Sequence, residues 1–399
     1  MKHLACRLFF ILFVFVSANA LAQDAYTVSG TVTDENHQPV KGATVFISGT
    51  QKITSTNTDG QFTFNGMTAG NYVLSAQMLG YATSSQDVTV RDRSINITVS
   101  LRVKPIVLNE VKIGSDKNWA KHYALFKDQF LGTSANAENC VIVNPEIINF
   151  STRNASDNKF FKIDGGILLK ADADDFLVIE NHQLGYRIKY LLKTFEHNTA
   201  TLHTFYDGDY SFEELNGTDE QKKAWAQNRL AAYKGSLMHF LRSVYANTVL
   251  GEGFIARQML KSRNTFDPKI YMYPTPVNFD TLVTPLNKSF ISLKFKALNI
   301  DYDPKNAARL KQGQLTQQEK QEESNSKLFG KSNNTDNASV VSTTGKSSQL
   351  LLYLKEAAID ARGSVFTGYI RTFLIRGDWA NKRIGDQLPF EYQPPHTTN

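Results

Sequence analysis

The chain has 399 residues, 41% hydrophobic and 21% charged, with a formal charge of +6 and a mean hydropathy of -0.32. At about 150 residues per domain this length admits two or three domains, and the composition excludes a multi-span membrane protein and a disordered chain. The 44 Lys+Arg are scattered without a run of five, so no dense nucleic-acid-binding face is expected.

At the amino terminus, Lys2 and Arg7 precede the apolar run Leu8 to Val16, and small residues then offer Ala18-Asn19-Ala20 or Ala20-Leu21-Ala22 for cleavage. This pattern predicts a secretory signal peptide over residues 1–22. The run spans roughly 14 Å as a helix, about half of a hydrocarbon core near 30 Å, so no integral span is expected after cleavage. Cys6 lies before the run and is not placed for lipid attachment. Its removal leaves Cys140 as the one cysteine of the exported chain, so stability must come from packing rather than from an internal disulfide.

Residues 24–102 show short runs of period-two alternation: Tyr26 to Val28, Ala43 to Ile47, Gln61 to Phe64, Tyr72 to Leu74, Asp87 to Val90 and Ile95 to Val99. Turn formers separate them at Asp34-Glu35-Asn36, Pro39, Gly42, Asp59-Gly60 and Ala69-Gly70-Asn71. An all-β, Ig-like antiparallel sandwich of about seven strands is predicted. Within it, Gly30-x-Val32-x-Asp34, Gly42-Ala43-x-Val45, Thr58-Asp59-Gly60-x-Phe62, Gly70-x-Tyr72 and Gly80-Tyr81 follow one another in an order that resembles the carboxypeptidase-regulatory-like family. That resemblance implies a transthyretin-like sandwich serving as an accessory domain on exported proteins, and it does not imply peptidase activity. A zinc carboxypeptidase needs two His and a Glu, and none of the eight histidines has Glu three residues away.

Residues 103–118 read as a linker. Val107-Leu108-Asn109-Glu110-Val111-Lys112-Ile113-Gly114 resembles the segment that joins such a module to the plug of TonB-dependent receptors, but the stretch from Ser115 to Asn399 is too short for a barrel of about 22 strands.

Residues 119–304 and 349–393 are predicted to form one α+β domain with an antiparallel sheet and one long helical stretch. Candidate strands are Phe160 to Ile163, Ile167 to Ala171, Phe176 to Glu180, Tyr186 to Phe195 and Ala200 to Tyr206, with Asp207-Gly208-Asp209 as a turn. The helix starts at the capping box Thr218-Asp219-Glu220-Gln221. Ala226, Leu230, Tyr233, Leu237, Phe240, Leu241 and Val244 form its apolar stripe. If Gly235 does not break it, Trp225, Arg229, Ser236 and His239 gather on a neighbouring face. An Arg and a Trp together can grip a carboxylate, a sugar ring or a peptide terminus, which makes these four the candidate ligand-binding residues. The competing expectation is structural: amphipathic side chains at a helix–sheet boundary satisfy backbone carbonyls and pack their apolar bodies.

The wording of this region, from Phe126-x-x-x-Phe130-Leu131-Gly132 through Trp225-x-x-Asn228-Arg229 to Asp378-Trp379-x-x-x-Arg383-x-x-Asp386-x-Leu388-Pro389-x-Glu391-Tyr392, resembles exported Bacteroidetes proteins that carry a carboxypeptidase-like regulatory domain at the front. The resemblance implies an architecture and brings no established activity. Residues 305–348 are rich in Lys, Gln, Glu, Ser, Asn and Thr and read as a solvated insertion, with a polar helix over Ala307 to Glu323 and flexible chain beyond. Extended structure is expected again at Gln349 to Leu354 and at Val365 to Ile370.

Other signals carry less. Thr344-Gly345-Lys346-Ser347 lacks the first glycine of a phosphate loop, and Gly251-Glu252-Gly253 follows a helix rather than a strand. Cys140 beside His182 or His239 would be a nucleophile–base pair, but the flanking Val141-Ile142-Val143 reads as a core strand around an inert thiol. Asp172, Asp174, Asp175 and His182 lack the order of a calcium loop. No catalytic residue, cofactor or metal is assigned. The expectation is an exported cell-envelope protein that binds a protein partner or glycan; the alternative is a hydrolase of envelope or dietary polymer with its site near Arg229 and His239.

Overall fold

The computed structural model describes residues 25–104, 118–154, 166–261, 270–273, 275–314 and 347–395. The stretch expected to be a signal peptide, most of the expected linker, the strand expected at Phe160 to Ile163 and most of the polar insertion lie outside the described residues. Among those described, no helix is long and apolar enough to cross a membrane.

The amino-terminal unit is the expected sandwich. The strands are β1 (Tyr26–Thr33), β2 (Thr44–Ile47), β3 (Ile53–Ser55), β4 (Gln61–Met67), β5 (Gly70–Gln77), β6 (Tyr81–Ala82), β7 (Ser84–Val90), β8 (Ile95–Ser100) and β9 (Arg102–Val103); six of them contain the alternating runs of the sequence, and the short β3, β6 and β9 are additional. Two sheets, ordered β4-β1-β8 and β3-β2-β5-β7, enclose Val28, Val32, Val45, Phe62, Leu74 and Val99. Burial alternates along β1 and along β4, where Phe62 and Phe64 point inward between exposed neighbours, whereas β2 and β5 are buried along most of their length. One pairing differs from the antiparallel expectation, because β1 and β8 run parallel with Val28 opposite Ile95. Gly30 sits in that pairing, where an added Cβ would lie 2.1 Å from the Ile97 carbonyl oxygen and 2.8 Å from the Phe62 ring.

The α+β region is built around two hydrophobic cores. The first contains α1 (Trp119–Leu131), α2 (Ala135–Glu138), β10 (Cys140–Ile142), β11 (Ile148–Asn154), β12 (Ile167–Ala173), β13 (Leu177–Asn181), β14 (Tyr186–Asn198), β15 (Thr204–Glu214) and α3 (Asp219–Tyr233). Its sheet is antiparallel, ordered β10-β13-β14-β12-β11, with β15 also on β14. Against it α1 lays Phe126 and Phe130, whose rings meet Phe195 at 4.7 Å and Tyr190 at 4.9 Å edge to face. Such pairs add about 0.5–1.5 kcal/mol each beyond their buried area.

The second core contains α4 (Leu237–Tyr245), β16 (Phe254–Lys261), β17 (Ile270–Met272), β18 (Val283–Pro285), β19 (Phe290–Leu293), β20 (Ala297–Tyr302), α5 (Pro304–Lys311), β21 (Ser347–Leu352), β22 (Ala357–Asp360), α6 (Tyr369–Thr372), β23 (Phe373–Gly377) and α7 (Asp378–Asn381). A five-stranded sheet, β17-β16-β20-β21-β23, and a three-stranded one, β18-β19-β22, pack around Phe240, Leu293, Leu298, Leu350 and Trp379.

Four local expectations are corrected. Asp207-Gly208-Asp209 is not a turn: it lies inside β15, opposite a register shift between Leu192 and Thr194. Gly208 is needed there for close approach, since a Cβ would stand 2.3 Å from the Leu191 carbonyl oxygen and 2.4 Å from the Tyr190 ring. The single helical stretch is two helices, because Gly235 adopts φ +74° and Ser236 caps a new start. The apolar stripe divides with it: Tyr233 joins the first core, Phe240, Leu241 and Val244 join the second, and Ala226 is exposed. Val365 to Ile370 is not a strand, since Gly368 at φ +77° turns the chain into α6. The polar helix of the insertion starts earlier than expected, at Pro304, with Asp303 capping the Asn306 amide, and its described part ends at Lys311 before Gly313 at φ +71°.

The sandwich is docked on both cores. Gly49 donates its amide to the Tyr210 carbonyl (2.7 Å), and its own carbonyl accepts from Phe390 (2.9 Å). Asp209 accepts from Ser75 at 2.7 Å and from Ser85 at 2.5 Å while pairing with Lys193 at 2.6 Å. A second junction joins Asn71 to Asp360 and Arg362.

Candidate functional site

The four residues singled out in the sequence do not share one face. Trp225 and Arg229 lie on α3, whereas Ser236 and His239 lie beyond the break at the start of α4. Trp225 donates from Nε1 to the His182 carbonyl (2.9 Å). Arg229 donates from Nε to Leu184 O (2.7 Å), from Nη2 to Gly185 O (3.1 Å) and from Nη1 to Glu214 (2.8 Å), and lies 3.9 Å from the centre of the Tyr186 ring. Asn228, between them, donates to Gln183 O (2.9 Å). These donors close the turn between β13 and β14, so the hydrogen bonds of this face go to backbone carbonyls and to the Glu214 carboxylate.

Ser236 accepts from the His239 amide (3.1 Å), as an N-cap should. The His239 ring is buried between Tyr233 and Phe254. Its Nδ1 accepts from the Gly235 amide (3.1 Å), which leaves the proton on Nε2, 3.1 Å from Glu252. Burial holds its pKa below the usual 6.5, and Glu252 only partly offsets that. Protonation would set a second N–H against the Gly235 amide at the helix junction. Between the lowered folded value and 6.5 the unfolded chain binds the proton that the folded chain refuses, so stability falls as pH falls through that window. Buried His197, also lowered by desolvation, acts in the same direction. The thermal midpoint is therefore expected to drop from pH 7 to pH 5, and His239→Gln to reduce the drop; an equal drop in the variant would remove His239 from this account.

Cys140 is a fully buried residue of β10 whose thiol donates to Asn136 O (3.4 Å), and burial pushes it up to about 12. At neutral pH it is a thiol rather than a thiolate. Asp174 pairs with Lys104, and Asp175 caps the Phe176 amide. Among the described residues no group of three or more His, Cys, Asp or Glu is placed to hold a metal ion.

The cavity lies elsewhere, where the two cores of the α+β region meet. It measures about 990 Å³ and is walled by β15, by the start of α4 and by the stretch from β23 to Phe390. Ser236 borders it; Trp225, Arg229 and His239 do not. Tyr206, Tyr210, Met238, Phe373, Trp379 and Leu388 supply much of an apolar and aromatic wall. Three large side chains at its margin, Leu202, Phe205 and Tyr353, are 71%, 39% and 60% exposed. Apolar side chains continuous with a cavity mark a place where solvent is readily displaced.

The charged part of the wall is mainly cationic: Arg371, Arg376, Lys382 and Arg383 outnumber Glu196 and Asp386. Half of these charges are matched by an opposite charge. Arg371 pairs with Asp207, Lys382 with Asp378 (3.1 Å) and Glu196 with Lys170 (2.7 Å), while Asp386 accepts from Ser134 (2.7 Å) and Asn136 (2.8 Å). Arg383 differs. It donates to the carbonyls of Ala380 (3.2 Å) and Gln129, no carboxylate pairs with it among the described residues, and burial lowers its pKa. The hydroxyl of Tyr206 beside it is pushed up to about 12 by burial, against the pull of Arg383.

In the sequence, the stretch from Asp378 to Tyr392 stood out for its family resemblance and had no role assigned to it. Beyond the one-turn α7 its backbone is too short of regular structure to show a helical or strand period, so no amphipathic pattern pointed to it, and its partner Gln129 on α1 lies far away in the chain.

Residues 28–113 match the CarboxypepD_reg-like domain family. The chain is thus a carboxypeptidase-regulatory-like domain-containing protein, with an amino-terminal β-sandwich of that family. No curated protein sequence matches the chain. Among solved structures, it is similar to a chain of the type II cohesin–X-dockerin complex from Acetivibrio cellulolyticus (24% identity, 19% of this chain and 56% of that one, TM-score 0.18). It is also similar to the minor pilin GBS52 of Streptococcus agalactiae (16% identity, 21% and 46%, TM-score 0.19). A third similarity is to 3-chlorocatechol 1,2-dioxygenase from Rhodococcus opacus 1CP (8% identity, 22% and 62%, TM-score 0.19). In each case the chain spans less than two thirds of the structure it matches.

Proposed function

We propose that this protein is an exported, non-catalytic binding protein of the cell envelope. In this reading the sandwich is an accessory module braced against the rest of the chain, and the ligand enters the cavity between the two α+β cores. The observation that carries it is the cavity itself, whose volume and apolar wall with a few convergent polar groups fit a small-molecule site. Export rests on the charged, apolar and small-residue succession of residues 1–22. Where the sequence led to a protein partner or a glycan, the cavity favours a small molecule or the end of a longer one over a flat protein face. Hydrolysis at Arg229 and His239 finds no support in geometry that commits both side chains to neighbours within the fold.

The test uses 1-N-phenylnaphthylamine, an uncharged apolar fluorophore that brightens when taken out of water. Saturable binding to the purified full chain is expected, weakened at least about tenfold by Ile370→Trp, which fills the cavity from α6 and is expected to leave the circular dichroism unchanged. Binding that ignores the substitution would overturn the assignment of the cavity.

A further inference from the structure

The cavity's charge pattern narrows its ligand. An apolar wall takes an apolar or aromatic body, which on its own would make the site indifferent to charge. Arg383 removes that indifference. It is a largely desolvated cation on the wall, held by two backbone carbonyls through Nε and Nη1, with Nη2 making no bond to protein among the described residues. A buried cation without a counter-charge is costly, and an anionic ligand that supplies the missing charge recovers that cost.

Of the lining carboxylates, Glu196 is matched by Lys170; Asp386 accepts from Ser134 and Asn136, pairs with no cation among the described residues, and acts on Tyr206 against Arg383. Tyr206 adds a hydroxyl beside Arg383 with no hydrogen bond to protein among the described residues. At the margin, exposed Arg376 makes no ion pair among the described residues and contributes long-range attraction of the same sign. With Asp386 set against Arg383 and Arg376, the two arginines of the wall unpaired among the described residues, the wall keeps a single net positive charge, which fits one negative charge; a dianionic head would carry a surplus into the same low-dielectric surroundings.

We infer that the cavity binds a monoanionic amphiphile, an apolar or aromatic body ending in a single carboxylate, with the carboxylate at Arg383 and Tyr206. This rests on the cavity being the binding site. The acyl or aromatic body lies along Phe373, Leu388 and Trp379, and the head accepts from the free edge of the guanidinium and from the phenol.

The experiment is calorimetric titration of the full chain with decanoate, decanol and decyltrimethylammonium, which share a tail and differ in head charge. Decanoate is expected to bind about tenfold or more tighter than decanol, the gain of one charge-assisted hydrogen bond in a desolvated site. Decyltrimethylammonium is expected to bind weakest. Arg383→Met, which keeps the bulk of the stem, should bring decanoate and decanol within about threefold of each other while phenylnaphthylamine binding persists. Should that variant fail to fold, Tyr206→Phe decides: decanoate is expected to weaken severalfold and decanol to hold. Equal affinity for decanoate and decanol in the unaltered protein overturns the inference while leaving the cavity as a site, as does a preference for decanoate that survives both substitutions. Absence of binding by all three tails and by phenylnaphthylamine overturns the underlying reading as well.

Discussion

Replacing Asp360 by alanine is expected to destabilise the protein by about 3–5 kcal/mol, because it strands a desolvated guanidinium at a domain junction. The Asp360 carboxylate is 1% exposed and the Arg362 side chain 13%. Oδ2 accepts from Arg362 Nη2 at 2.5 Å and from the Asn71 amide at 3.3 Å, and Oδ1 accepts from the amides of Arg362 (3.0 Å) and Ser364 (3.1 Å). Arg362 in turn donates to the Asn71 carbonyl (2.6 Å) and lies 3.8 Å from the centre of the Tyr72 ring. One carboxylate thus organises its own turn, neutralises a buried cation and holds β5 of the sandwich.

Removing it leaves the cation without a counter-charge and several amides without an acceptor. Removing both charges is expected to cost less than removing one, so Asp360→Ala with Arg362→Met should be more stable than Asp360→Ala alone. Urea unfolding checks the magnitude, and hydrogen exchange over Gly70–Gln77 should accelerate in the single variant. Additive losses in the two substitutions would show that the pair is not coupled.

Gly185→Ala is the second large effect, with an expected loss of about 2–5 kcal/mol. Gly185 holds φ +70°, where a side chain costs about 1–2 kcal/mol. The new methyl would also lie 2.2 Å from Cδ2 of Trp225, an overpacking of about 1–3 kcal/mol. Trp225 cannot step aside freely, since its indole N–H is bonded to His182 O and its ring also covers Gly217. The turn would have to move from α3, loosening the contacts of Arg229 and Asn228. A lowered urea midpoint with faster exchange at the end of β13 and in α3 is the expected result. An unchanged midpoint would mean that α3 yields without cost.

Much of the architecture was legible in the residues. Alternating burial in β1 and β4, the turn glycines Gly42 and Gly60 at positive φ, and the Thr218–Gln221 capping box all follow local rules, and the local rules were obeyed. The failures share a cause. Gly208 looked like a turn residue and is a close-approach residue, because the crowding that demands a glycine comes from Tyr190 and Leu191 on another strand. Gly235 could be read as tolerated in a helix or as its end, and only the arrangement of two cores on either side decided for the break. Trp225 and Arg229 were recognisable as a functional-looking pair, but the carbonyls that occupy them lie more than forty residues away in the chain.

Residues adjacent in the chain were enough to specify the carboxypeptidase-regulatory-like sandwich and the antiparallel α+β character of the rest. These depend on period, turn chemistry and composition, which are properties of neighbours. Only folding in three dimensions established that the α+β region has two cores, that a cavity opens between them, and that Arg383 faces it without a carboxylate among the described residues. Those outcomes depend on which distant segments meet: Gln129 and Arg383 are 254 positions apart, and Asn71 and Asp360 are 289. A charge is matched or unmatched only by what folding brings beside it.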